Sequence, residues 1–231
     1  MGKENNVEQK KKKIPVGLSN YQEMKTEKYY VVDKSLMIKE FLDSGAKVTL
    51  ITRPRRFGKT LNMSMLAEFF DLSKDSRTIF EDTKIMKTEN ASEINQYPTI
   101  FLSFANCRGD EENIKFSIFY LLRKEMARYL ALLKNDTVDE DLRDRYQSMY
   151  KEICDKTDFI STKFSISVMC ELLNKVYQKP VMLFIDEYDT PFIEAHTHEC
   201  YDKLHNTLAG MLSSALKDNP YLQYAMLKGI Q

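Results

Sequence analysis

Five consecutive apolar residues, Val181-Met182-Leu183-Phe184-Ile185, run directly into two acids, Asp186-Glu187. A strand with one wet face alternates apolar and polar residues. An unbroken apolar run belongs instead to a strand covered on both faces, as in a parallel sheet between two layers of helices. The flanks agree. Before Pro180, a helix over Ser165–Tyr177 places Ile166, Met169, Leu172, Leu173 and Val176 on one face. After the acids, Leu204, Leu208, Met211, Leu212 and Ala215 form a second helical stripe, and residues 222–230 read as a last strand. Upstream, Val48-Thr49-Leu50-Ile51 reads as a buried strand. The helix after it, over residues 58–72, carries Leu61, Met63, Met65, Leu66, Phe69 and Phe70 around most of its circumference, which predicts burial on more than one side. Residues 99–104 read as another strand, residues 110–134 as a long helix and residues 139–150 as a polar one. A helix over residues 33–43 has Asp33 as its N-cap and Gly45 as its stop. Buried strands alternating with helices predict a three-layer α/β fold.

The length of 231 residues predicts one or two domains and a core that needs neither disulfides nor a structural metal. No linker interrupts the chain, so residues 14–231 read as one domain behind a polar, solvated tail of residues 1–13 that ends in four lysines. The charges cancel, 34 Lys+Arg against 34 Asp+Glu, which does not support nucleic-acid binding through bulk positive charge. No apolar run approaches the about 20 residues of a membrane span, and the start lacks the pattern of a signal peptide. The expected location is cytoplasmic. The four cysteines, at 107, 154, 170 and 200, form no CxxC and read as buried or free thiols.

Between the first strand and its helix lies Arg53-Pro54-Arg55-Arg56-Phe57-Gly58-Lys59-Thr60. Apart from Arg53 at its first position, it fits the phosphate-binding pattern GxxxxGK[ST]. Backbone N–H groups of such a loop, with those of the helix start, can wrap an anion. Gly58 lets the backbone approach a phosphate, Lys59 reaches the β- and γ-phosphates, and the Thr60 hydroxyl can ligate Mg²⁺. Arg55 and Arg56 suit phosphate contacts or a partner chain, or form a solvated loop edge. Asp186 ends a buried strand at the crevice edge of an open sheet, where ligands bind, and suits the outer sphere of a Mg²⁺ held by Thr60 and phosphate oxygens. Glu187 is placed to polarise an attacking water. Both motifs, in this order and each after a strand, predict a P-loop NTPase fold with a central, mostly parallel sheet. Asp189 reads equally as a helper at the Mg²⁺ site or as a turn residue before Thr190-Pro191. His196, His198, Cys200 and His205 cluster in sequence; the surrounding Glu194, Thr197 and Glu199 read as a polar loop, with zinc binding by the cluster as the lesser alternative.

The stretches Val31-Val32-Asp33-Lys34-Ser35, Arg53 to Leu61 and Phe184-Ile185-Asp186-Glu187-Tyr188-Asp189-Thr190-Pro191 resemble the AAA-ATPase-like family of prokaryotic proteins. That family carries RPRRFGK[ST], Arg53 included. The resemblance implies ATP and Mg²⁺ as cofactors. It implies Arg55, Arg56, Phe57, Gly58, Lys59 and Thr60 as the nucleotide-binding loop, Thr60 and Asp186 as metal ligands, and Glu187 as catalytic base. It further implies a sheet lacking its last strand, a helical insertion over about residues 110–178 as a lid or protein-contact surface, and a nuclease-like domain usually joined downstream. The strand over residues 224–230 is expected between the two motif strands. Lys228 stands there at a position that senses the γ-phosphate, where relatives tend to have threonine. Two functions follow: ATP hydrolysis driving or gating an attached or partner module, or a nucleotide-binding regulatory or assembly module with little or no hydrolysis, part of a nuclease-linked defence or mobile-element protein. A second copy or a partner protein is the expected contact.

Overall fold

The computed structural model describes residues 13–15, 17–52, 59–217 and 219–229, leaving out the side chain of Lys59. The basic tail before residue 13 and the loop of residues 53–58 lie outside the described residues. Four strands, β1 (Val48–Thr52), β2 (Thr99–Ser103), β3 (Val181–Asp186) and β4 (Leu222–Gly229), form one sheet in the order β1-β4-β3-β2. Every pairing is parallel. β4 therefore lies between the two motif strands, as the sequence predicts.

Strand alternation divides the interior in two. On one face, Ile100, Leu102, Val181, Leu183, Ile185, Ala225 and Leu227 pack under α5 (Glu111–Ala127), α6 (Glu140–Asp155), α7 (Ser165–Tyr177), α8 (Thr190–Thr197) and α9 (Tyr201–Leu216). On the other, Met182, Phe184 and Met226 pack under α1 (Tyr21–Thr26), α2 (Leu36–Asp43), α3 (Lys59–Phe70) and α4 (Arg77–Phe80). This second core is aromatic: Phe184 stacks on Phe70 at 6.2 Å between centroids, and Phe41 tilts against Phe184 at 6.1 Å. β3 is buried at every position, because helices cover both its faces and strands flank both its edges.

Four local expectations are corrected. β1 is not buried: Val48 is 39% and Leu50 54% exposed. Among the described residues its one sheet neighbour is β4, and its Thr49 and Ile51 face the α2–α3 layer. Asp33 does not cap α2. Its Oδ1 instead accepts from Ser35 N at 2.9 Å in a local turn, and its Oδ2 accepts from Lys84 N at 2.9 Å, so it ties the start of α2 to a distant segment. Gly45 does end α2, with φ +60. The long helix breaks after Ala127 into a 3-10 turn, Leu130–Lys134, and Arg143 of α6 takes up the freed carbonyl of Leu133 at 2.9 Å. Finally, Glu194, His196 and Thr197 are helical, inside α8.

Two of the helices between β2 and β3, α5 and α6, start where acids cap them. Asp110 accepts from Asn113 N at 3.0 Å and Asp139 from Leu142 N at 2.9 Å, each meeting the free N–H groups of a first turn. Their apolar faces join the same core, α5 against β2 and α6 against α5 and α7. No helix among the described residues is long and apolar enough to cross a membrane.

Candidate functional site

Parallel register places the chemistry. Asp186 of β3 pairs with Lys228 of β4, and paired residues of adjacent strands project to the same face. That face is the one covered by α3, whose second residue is Thr60. The carboxylate, the ammonium and the hydroxyl thus meet at the C-terminal ends of the two central strands, the usual ligand edge of such a sheet. Lys228 Nζ lies 2.6 Å from Asp186 Oδ1 and 3.5 Å from Glu187 Oε1, and donates to Thr60 Oγ1 at 3.1 Å. Lys228 and Asp186 are 3% and 1% exposed. Their contact is one of charge rather than an aligned hydrogen bond, since Asp186 Oδ1 has no hydrogen-bond partner among the described residues.

Glu187 follows the strand in the left-handed region, with φ +52, a conformation that a side chain with a Cβ seldom adopts. The turn around it is pinned. Tyr188 N donates to Lys228 O at 3.2 Å, Thr190 N to Glu187 O at 3.1 Å and Phe104 N to Asp186 O at 2.9 Å. The Glu187 carboxylate accepts from Thr190 Oγ1 at 3.3 Å and lies 3.6 Å from an Arg108 nitrogen. Arg108 is itself held by Ala105 O at 2.8 Å and by Glu194 at 3.2 Å. Gly229 permits the close approach of this turn to β4: a Cβ there would meet the Tyr188 ring at 2.7 Å and Asp189 Oδ2 at 2.9 Å. Burial and the Asp189 charge push the Tyr188 phenol above its ordinary range.

A cleft of about 770 Å³ opens between α2, β1 and α3, and Leu36, Met37, Phe41, Met63, Met226 and Lys228 line it. Another cavity, of about 590 Å³, lies against α6, α7 and the end of α9, and neither Lys228, Asp186, Glu187 nor a residue of α3 lines it. The first adjoins the site through Lys228, although neither Asp186, Glu187 nor Thr60 is among the described residues that line it.

Of the residues singled out in the sequence, Thr60, Asp186 and Glu187 come together. Arg55, Arg56, Phe57 and Gly58 lie outside the described residues, and Lys59 opens α3 without a described side chain. Asp189 immediately precedes α8. The histidines scatter. His196 and His205 pack on Tyr201, with His205 at 4.8 Å, while Cys200 is buried at the start of α9. Among the described residues no group of three or more His, Cys, Asp or Glu is placed to hold a metal. Sequence reasoning missed Arg108. It stands just past the C-terminal end of β2, so the positional rule that singled out Asp186 applies to it as well.

The chain matches the family model described as Predicted AAA-ATPase over residues 15–231, and it belongs to that family. Membership carries a nucleotide-binding, ATPase-like role. The chain is also similar to a protein of Azotobacter chroococcum mcd 1 named "Uncharacterized protein in vnfD 5'region", at 23% identity over 224 residues. That match covers 95% of this chain and 37% of the length of the relative. No solved structure matches the chain.

Proposed function

We propose that the chain is a P-loop ATPase domain that binds ATP at the start of α3 and hydrolyses it at Glu187, driving or gating an attached or partner module. The observation that carries this reading is the meeting of Thr60, Lys228, Asp186 and Glu187 at the sheet edge. Residues 53–58, with Lys59 and Thr60, wrap the phosphates, and Arg55 and Arg56 supply further positive charge. The apolar cleft beside α2 and α3 receives the base, since nucleotide sites join apolar walls to a few convergent polar groups. Glu187, 21% exposed at its side chain, accepts the proton of an attacking water. In this reading a second copy or a partner protein meets the domain, and the exposed edge β1 suits such a contact.

Mg²⁺ is the cofactor expected with ATP. The residues present do not fit a Mg²⁺ shared by Thr60 and Asp186, because both oxygens face the Lys228 ammonium. No step is therefore routed through a metal. A regulatory module with slow hydrolysis is the second reading. It is favoured by the Arg108 guanidinium and the Lys228 ammonium, which lie 3.6 Å and 3.5 Å from the Glu187 carboxylate and compete with a water for it.

Calorimetric titration with ATP and a phosphate-release assay test both readings. Lys59→Ala is expected to lose at least about tenfold in ATP affinity. Glu187→Gln is expected to keep binding and to lower turnover by about 10²–10⁴. Absence of ATP binding by the unaltered chain overturns the proposal, while turnover indifferent to Glu187→Gln leaves the regulatory reading.

A further inference from the structure

Lys228 is a buried cation with three oxygens around one nitrogen: Asp186 Oδ1 at 2.6 Å, Thr60 Oγ1 at 3.1 Å and Glu187 Oε1 at 3.5 Å. Two of these belong to the residues from which a divalent ion would be expected to take its protein contacts. Of the three, Thr60 Oγ1 accepts a hydrogen bond, and the two carboxylates meet the ammonium as contacts of charge. Its position is fixed by the fold. Register sets Lys228 beside Asp186, the Lys228 carbonyl is held by Tyr188 N, and Gly229 allows the 187–189 turn to close over the strand.

Mg²⁺ requires oxygens at about 2.0–2.1 Å in octahedral order and gives up its waters reluctantly. Seated between Thr60 and Asp186, it would press two positive charges against a third in a site that is almost closed to solvent. The ammonium already compensates Asp186. It is also close enough to Thr60 to meet the phosphate oxygens that the hydroxyl would contact.

We propose that Lys228 is a built-in counter-ion that takes the place of the divalent cation, so that this chain binds a nucleoside triphosphate without Mg²⁺. The proposal rests on the nucleotide-binding reading above and specifies its chemistry.

The test compares ATP affinity in excess EDTA with that in Mg²⁺, by calorimetry, for the unaltered chain, Lys228→Met and Lys228→Thr. Methionine keeps the length of the side chain without its charge, and threonine leaves room for a hydrated cation. The unaltered chain is expected to bind ATP within about threefold in the two conditions. Each variant is expected to lose at least about tenfold in EDTA and to recover with Mg²⁺. Removing one partner of a buried pair is destabilising, so a thermal melt first selects the variants that fold. The comparison on the unaltered chain needs no variant: if its binding requires Mg²⁺, the role given to Lys228 is overturned. Failure to bind ATP in either condition overturns the nucleotide reading itself, which is a different result.

Discussion

At the scale of single residues, Glu187 and Lys228 show how function and stability pull apart. Glu187 holds a left-handed backbone, which costs a residue with a Cβ about 1–2 kcal/mol. Glycine adopts the same φ without that cost, but it has more freedom to lose on folding and gives up the contact with Thr190. The balance predicts that Glu187→Gly unfolds at a higher urea concentration, by about 0.5–1 kcal/mol, while losing hydrolysis. A variant less stable than the parent would mean that the Thr190 and Lys228 contacts outweigh the backbone strain. The Glu187 carboxylate was legible in the sequence because it ends an apolar run. The strain was not, since nothing local demands it; it comes from the hydrogen bonds that fold the turn back over β4. Lys228 stood out as an unusual residue in a strand. Its contacts became apparent only once β4 was paired with β3 in register.

At the scale of elements, Asp33 joins the start of α2 to the segment at Lys84 through both carboxylate oxygens. Burial acts to raise its pKa. The hydrogen bonds from Ser35 and from Lys84 N, with the Lys84 charge, outweigh burial and hold the carboxyl below its usual range. A depressed carboxyl contributes stability above its unfolded pKa of about 3.9, and that contribution disappears as the pH falls through the folded value. Asp33→Asn should therefore be less stable than the parent at pH 7, with the gap closing below about pH 4. Urea midpoints at pH 7, 5 and 3 check this, and a gap that stays constant with pH would refute the linkage. The sequence showed a short acid before a helix, and such an acid is usually a cap. The structure gives the cap position to Ser35, without a side-chain bond, because both oxygens of Asp33 are used elsewhere. Periodicity was most reliable where a helix is amphipathic: α7 and α9 bury the residues that their stripes predict, except Val176 and Leu212, which are half-buried. It was less reliable in β1, whose apolar residues resemble those of a core strand although it forms an edge.

At the scale of the whole molecule, the order β1-β4-β3-β2 places the two chemical motifs on strands separated by one other, and β4 supplies Lys228 between them. The layered α/β class followed from alternating strands and helices, and the central position of β4 from the family resemblance. The concentration of stacked phenylalanines in one half of the interior did not, because side chains sort by face only when every register is known. The site also depends on elements far apart in sequence, and Thr60 and Lys228 meet across 168 positions.

The strand that ends in Asp186 serves both halves of the interior, with Val181, Leu183 and Ile185 facing one and Met182 and Phe184 the other. Neither half can melt while the other survives intact, since loosening β3 removes the floor from both. The domain is therefore expected to unfold as one cooperative unit, with calorimetric and van't Hoff enthalpies that agree. A ligand gripped at the end of that strand would raise the single transition rather than split it. Two resolved transitions in a scanning calorimeter would show that the halves come apart separately.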